Sequence, residues 1–436
     1  MKSAYRHRVQ SLENGLTVVT IAVPHLHTAN VSVFVRIGAR HENAKTNGLS
    51  HFLEHMFFRG CDGFPDSTAL NAAMEDLGGH LDGYTTRDYS AFQSTVHPDY
   101  VGDATDLLGR MFVAPHFTEM EIERSIILEE ILDALDERGR EIELDTIAHR
   151  GAFGDHPLAQ SIDGPKRNLK RFSEDDLHLH RRKFYGAHNS VLCFAGRISP
   201  SACRRFAKKS FGDLFAGKRS SEGRPPALLD RVATKFVYSD DAQTRARLTF
   251  RVEPESHRDF PALLLLRRVL DGGLSARLQV ELVEKRGIVY EISASLDSYS
   301  DCGLLDFELA VAHKKLPYAL EELGRVLIDL RTNGVTEAEL DRVRRRARFG
   351  VEFGLDSTMD LSHWFGALQL WRDPIPPEER LAQLEMVTTD QLLQAARKYL
   401  TPPRMSFAAV GGASRGQVKA ARNVIRKVAE ELDRVD

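Results

Sequence analysis

Two hydrophobic periods run through the chain. A period of two, or a short apolar run, marks residues 18–23, 30–36, 89–96, 245–252 and 304–311 as strands. Between them, apolar positions recur at helical spacing; Leu49, Phe52, Leu53 and Met56 follow the i, i+3, i+4, i+7 rule. Strands interleaved with amphipathic helices predict an α+β fold, a mostly antiparallel sheet packed with helices.

The pattern occurs twice. The stretch TEMEIERSIILEE from Thr118 returns as TEAELDRVRRRAR from Thr336, an offset of 218 residues. Both open on Thr-x-x-Glu (Thr118 with Glu121, Thr336 with Glu339), the signature of a capping box at a helix start. A second pair, Ser173 to Gly196 and Thr388 to Gly411, reads as a capped helix, a turn and an apolar strand, at an offset of 215. Two homologous domains are therefore expected, residues 1–218 and 231–436. Residues 219–230, rich in Gly, Ser, Pro and charge, have the composition of a linker.

The charge balance narrows the function. Lys and Arg number 59 against 62 Asp and Glu, a formal charge of −3, which argues against a nucleic-acid-coating protein. No apolar run approaches the roughly 18 residues of a membrane span. The first residues lack the apolar core of a signal peptide, so a cytoplasmic protein is expected. Cys61, Cys193, Cys203 and Cys302 are far apart with no CxxC spacing and read as buried thiols.

Chemistry concentrates in GLSHFLEHMFFRG. His51, Glu54 and His55 form His-x-x-Glu-His, the inverted zinc-protease signature. On a helix His51 and His55 lie about 40° apart in projection and can share a metal, roughly opposite the apolar stripe. A catalytic zinc usually has three protein ligands, so with Glu54 kept as base a third is needed. Glu123 and Glu130, two turns apart on one stripe with Ile127 and Ala134, are the candidates; Glu129 is turned away by roughly 100°. Glu123 has a competing reading as favourable negative charge at a helix N-terminus. Glu130 falls among Ile126, Ile127, Leu128, Ile131 and Leu132, where a lone carboxylate would be costly.

The runs RIGARHENAKTNGLSHFLEHMFFRG, GGHLDGYTTRDYSAF and Glu123-Arg124-x-x-Ile127-x-x-Glu130, with EKRGIVY around Tyr290, resemble the pitrilysin and mitochondrial processing peptidase family of zinc metallopeptidases. The resemblance covers almost the whole chain, and the 75-residue step from His55 to Glu130 matches that family's third ligand. It implies zinc held by His51, His55 and Glu130, Glu54 as general base to a metal-bound water, and Glu123 as a supporting carboxylate. It implies a clamshell of four such domains, half of it supplied by this chain, and hence a homodimer or heterodimer. Residues 80–92 are similar to the family's strand that pairs with extended peptide substrates.

Two positions depart from the family pattern. Tyr290, expected to bind substrate, lacks the Arg seven residues before it; Val283 stands there, and Lys285 and Arg286 read as solvated helix-end charges. Asp82 occupies a position where Asn is common. A zinc endopeptidase acting on peptides or unfolded segments is expected, with a related chain supplying the missing Arg. The alternative is a non-catalytic scaffold subunit, which would typically have lost part of the His51, Glu54, His55, Glu130 set. The Arg342–Arg348 run aligns with the Glu123–Glu130 helix, Arg348 on Glu130, and reads as a solvated face rather than a nucleic-acid site.

Overall fold

The computed structural model describes residues 5–434 except 222 and 224. The chain forms an α+β protein with two mixed sheets, each in its own compact unit. The first unit takes the chain up to Ile131, Gln160–Gly223 and Glu352–Ile375; the second takes Leu132–Ala159, the chain after Gly223 as far as Val351, and the chain from Pro376 on. Each sequence half thus lends a segment to the other half's unit, and the two lent segments correspond under the offset of about 218.

The first sheet has six strands: β1 (Arg6–Ser11), β2 (Thr17–Ala22), β3 (Ala29–Val35), β4 (Asp82–Thr85), β5 (Ser90–Val96) and β6 (Ser190–Gly196), in the order β1-β2-β6-β3-β5-β4. All neighbours are antiparallel except β2 and β6. β3 and β6 are buried along their whole length, because helices cover both faces. The alternation of 30–36 therefore marks no solvent-facing side: Asn30 and Ser32 are buried as completely as Val31 and Val33.

One face of this sheet carries a cluster of aromatic rings. Phe57 stacks on Phe112 at 4.9 Å and meets Phe92 edge-on at 5.1 Å, with Tyr185 at 5.3 Å. Each such fully buried ring contributes about 2–3 kcal/mol of hydrophobic stabilisation. The lent segment brings Phe365 and Gly366 onto Phe34 and Cys193. A Cβ at Gly366 would stand 2.5 Å from the Phe34 ring, so only glycine permits this approach.

The second sheet has five strands: β7 (Ala233–Val237), β8 (Thr244–Val252), β9 (Glu291–Ser298), β10 (Gly303–Val311) and β11 (Met405–Val410), ordered β7-β11-β8-β10-β9. Its single parallel step, β7 with β11, repeats the β2–β6 step. The core lies between this sheet and the helices Phe260–Asp271, Leu316–Asn333, Thr389–Tyr399 and Arg415–Arg434.

The helix starts differ from their sequence signatures in an instructive way. Ser173 with Asp176 and Thr388 with Gln391 form complete capping boxes. At Thr336 only half forms: its hydroxyl accepts from the Glu339 N–H, while the Glu339 carboxylate binds Arg277 at 2.7 Å. At Thr118 no box forms. Glu119 adopts φ 57°, its carbonyl accepts from Ile122 and Glu123, and Glu121 pairs with Arg124 at 3.1 Å. All four cysteines are buried free thiols, and no helix among the described residues is long and apolar enough to cross a membrane.

Candidate metal centre

The His-x-x-Glu-His motif lies on the helix Leu49–Phe57 in the first unit. Leu49, Phe52, Leu53 and Met56 are all at most 3% exposed, so the predicted stripe is the docking face. The helix starts at Gly48, whose φ of 96° and contact with the Asp163 carbonyl leave no room for a Cβ. Its first amides are satisfied by a distant carboxylate: Glu42 accepts from the N–H of Gly48 at 2.8 Å and of Ser50 at 2.6 Å, and from the Asn47 amide at 3.2 Å. A negative group at a helix N-terminus is electrostatically favoured, although burial pushes the Glu42 carboxyl up to about 7 against these donors. Ser50 reaches the buried His180, Oγ to Nε2 2.9 Å, which ties the motif helix to Glu174–Phe184.

His51 and His55 turn their Nε2 atoms toward one point, 3.2 Å apart. Oε2 of Glu130 stands 3.8 Å from the first and 3.7 Å from the second. These three atoms lie within 4.8 Å of one another. Zinc bonds of about 2.0–2.2 Å in a tetrahedral arrangement need ligand atoms roughly 3.3 Å apart, so two imidazoles and a carboxylate at this spacing fit the ion.

A carboxylate behind His55 fixes its tautomer. Nδ1 of His55 lies 2.9 Å from Oε2 of Glu123, which places a proton on Nδ1 and leaves Nε2 a lone pair. Nδ1 of His51 faces Asp163 at 3.4 Å. Glu123 is itself held by Arg59, whose Nε is 2.5 Å from Oε1, while another arm of the guanidinium reaches Glu119 at 3.1 Å. Burial alone would raise the Glu123 carboxyl, but the His55 hydrogen bond and Arg59 bring it below the usual carboxylate range. For His55, burial disfavours charge, and Glu123 with the nearby carboxylates Glu130 and Glu54 outweighs it.

Glu54 is 7% exposed and accepts the Thr85 hydroxyl at 2.6 Å on Oε2. Burial lifts its carboxyl to about 7, with Thr85 and His55 pulling the other way. A base with a pKa near neutrality is suited to taking and returning a proton.

The helix Met120–Asp133 supplies Glu123 and Glu130, but not as its sequence suggests. Its buried stripe is Glu123, Ile127 and Ile131, and it ends before Ala134. Glu130 has a side chain 45% exposed, and Ile122, Ile126 and Leu132 are exposed as well. The expected cost of burying a lone Glu130 is therefore absent; the proximity to His51 and His55 is what marks it.

Arg59, Thr85, Asp163 and Glu42 were not singled out in the sequence. Arg59 lies just past the end of the motif helix, and Thr85 is three residues after Asp82 and so on the other face of β4; neither position is marked by periodicity. Asp163 and Glu42 had no signal either. Asp82, on the edge strand β4, accepts from Gln93 at 2.9 Å.

In the second unit, Tyr290 is 91% exposed. Val283 packs against the apolar core. Lys285 and Arg286 are exposed but not merely solvated: both bind Glu281 at 2.7 Å, and Arg286 also reaches Glu322 at 3.2 Å. In the helix Glu337–Gly354, Arg344 pairs with Asp341 at 2.9 Å, and Arg342, Arg345, Arg346 and Arg348 are exposed.

Known proteins place these features in context. The family model "Insulinase (Peptidase family M16)" matches residues 17–166, and "Peptidase M16 inactive domain" matches residues 171–347. An uncharacterized zinc protease of Mycobacterium tuberculosis is 28% identical over 407 residues, 92% of each chain. A mitochondrial-processing peptidase subunit beta of Lentinula edodes is 29% identical over 434 residues, covering 92% of this chain and 89% of that one. The crystal structure of a protease from Helicobacter pylori shares the fold, with a TM-score of 0.86 at 20% identity over 93% of this chain and 99% of the other.

Proposed function

From the premise that this chain belongs to peptidase family M16, we propose that it is a zinc-dependent endopeptidase acting on peptides or unfolded protein segments. The observation that carries the reading is the convergence of His51, His55 and Glu130 on one point beside a buried Glu54. A scaffold subunit would have no use for this set. Residues 1–218 form the catalytic domain on this reading, 219–230 the linker, and 231–436 a homologous domain whose Arg348 replaces the metal-ligating Glu.

His51, His55 and Glu130 hold the zinc, which when bound supplies Lewis acidity toward a water and a peptide carbonyl. Glu123 orients the His55 imidazole from behind, and the Asp163 carboxylate lies near Nδ1 of His51. Glu54 takes a proton from the attacking water and returns it to the leaving amine, its pKa set by burial and its position by Thr85. β4 is the edge of the first sheet, so its outward main-chain groups can align an extended substrate, which selects for unfolded chains. Tyr290 contributes to substrate binding on this reading. Val283 removes the Arg that would accompany it, which favours a heterodimer with a related chain over a homodimer.

The test is hydrolysis of an unstructured peptide by the isolated chain, with chelator and zinc add-back. Loss and recovery of cleavage support the reading. Cleavage indifferent to chelator contradicts it, and full activity as a lone monomer contradicts the heterodimer.

A further inference from the structure

Among the described residues, the duplication leaves β7 of the second sheet without the neighbour that its counterpart β2 has. β2 and β7 correspond under the offset of about 216, as do β6 and β11, β3 and β8, and β5 and β10. In the first sheet β1 pairs antiparallel with β2 over six residues, from Arg6↔Ala22 to Ser11↔Thr17. In the second sheet β7 is the terminal strand among the described residues.

The reason is written in the sequence. The offset carries β1 onto residues 222–227, which include Pro225 and Pro226. Proline has no N–H to give to a ladder. The carbonyls of Pro226 and Ala227 accept instead from the Arg251 guanidinium.

The open edge is competent to pair. The Gly411 N–H donates to the Val237 carbonyl at 3.1 Å, so Val237, Lys235 and Ala233 turn their main-chain groups toward β11. Alternation then turns the N–H and C=O of Thr234 and Phe236 outward. A groove flanks the strand on each face. One, about 520 Å³, lies against the start of the helix Arg415–Arg434; the other, about 620 Å³, lies against the helix Leu144–Phe153. An added strand would send alternate side chains into the two.

Charge decides what kind of strand. Arg415, Lys419 and Arg422 project from one stripe of their helix into the first groove, and no carboxylate lines it. Arg422 also lies over the Phe236 ring, 5.2 Å from its centroid. The second groove adds the Lys235 ammonium, while its Arg140 is paired with Asp136 at 2.6 Å and its Arg150 with Glu141 at 3.6 Å. We propose that β7 takes up an extended, acidic segment of a partner polypeptide as an additional antiparallel strand. A second copy's β1 would be repelled, since it carries Arg6 and Arg8.

The test uses the full chain carrying Glu54→Gln, so that the probe is not consumed. Fluorescence anisotropy is measured with labelled nonapeptides of alternating Glu and Val and of alternating Lys and Val. The Glu/Val peptide is expected to bind and the Lys/Val peptide to bind at least tenfold more weakly. Thr234→Pro removes an outward N–H without touching the β11 ladder, and the pair Lys419→Glu with Arg422→Glu reverses charge on an exposed helix face. Each is expected to weaken Glu/Val binding at least tenfold with the melting temperature unchanged. Because the charge-reversed pair lies on an exposed surface, it still decides the matter should Thr234→Pro fail to fold. No binding, equal binding of both peptides, or binding indifferent to the charge reversal overturns the proposal. So does a concentration-dependent dimer of this chain that the charge reversal abolishes, which would make the occupant a second copy.

Discussion

Nδ1 of His55 stands 2.9 Å from Oε2 of Glu123, and the same carboxylate is gripped on its other oxygen by Arg59 at 2.5 Å. The imidazole is thereby held in one tautomer with Nε2 aimed at the shared point. Such supporting groups are typically worth 10–100-fold in metal affinity. Glu123→Gln keeps the shape but weakens the hold on both His55 and Arg59. It is expected to raise the zinc dissociation constant by about that factor, measured by competition with a chromogenic chelator. Unchanged affinity would show that the contact does not orient the ligand.

The motif helix rests on His180 through Ser50, and the burial of that ring gives the fold an acid sensitivity. Burial, reinforced by the charges of Lys183 and His41, lowers the His180 pKa to about 3, against about 6.5 when unfolded. A depressed histidine pKa means the folded state prefers the neutral ring. Its contribution is fully present above pH 6.5 and is lost as pH falls toward 3, at up to about 1.4 kcal/mol per pH unit. Chemical denaturation from pH 7 to 4.5 should show wild type losing stability more steeply than His180→Gln. Parallel curves would mean that His180 does not titrate in this way.

Gly366 lets the lent segment lie against Phe34 and Cys193 in the first unit. Both neighbours are fully buried, so an added methyl has nowhere to go. Gly366→Ala is expected to cost about 1–3 kcal/mol, read as a lower denaturation midpoint. A neutral result would show that the segment can shift without loss.

Much of this was legible in the sequence, for reasons that particular residues make plain. The stripe Leu49, Phe52, Leu53, Met56 and the His51/His55 pair are set by helical spacing alone. The sheets of both halves could be traced through β3, β5, β8 and β10, whose side chains carry the pattern. What stayed hidden depends on the path of the chain in space. Asp163 comes from a loop more than a hundred residues after His51, and Glu42 caps a helix six residues beyond it, with no periodicity to mark either. The exchange of Leu132–Ala159 and Glu352–Ile375 between units is likewise invisible to composition. Glu130 stands near His51 and His55 as its spacing suggests, but the argument from its burial fails, since its side chain is 45% exposed.

The central claim is that Glu54 moves the proton at a centre held by His51, His55 and Glu130. It is tested most directly by Glu54→Gln, with zinc content and hydrolysis of an unstructured peptide measured on the same preparation. The amide is isosteric and can still meet Thr85, but cannot act as a base. The account predicts zinc retained as in wild type and the hydrolysis rate lower by about 10²–10⁴-fold. Wild-type hydrolysis with zinc still bound would contradict it.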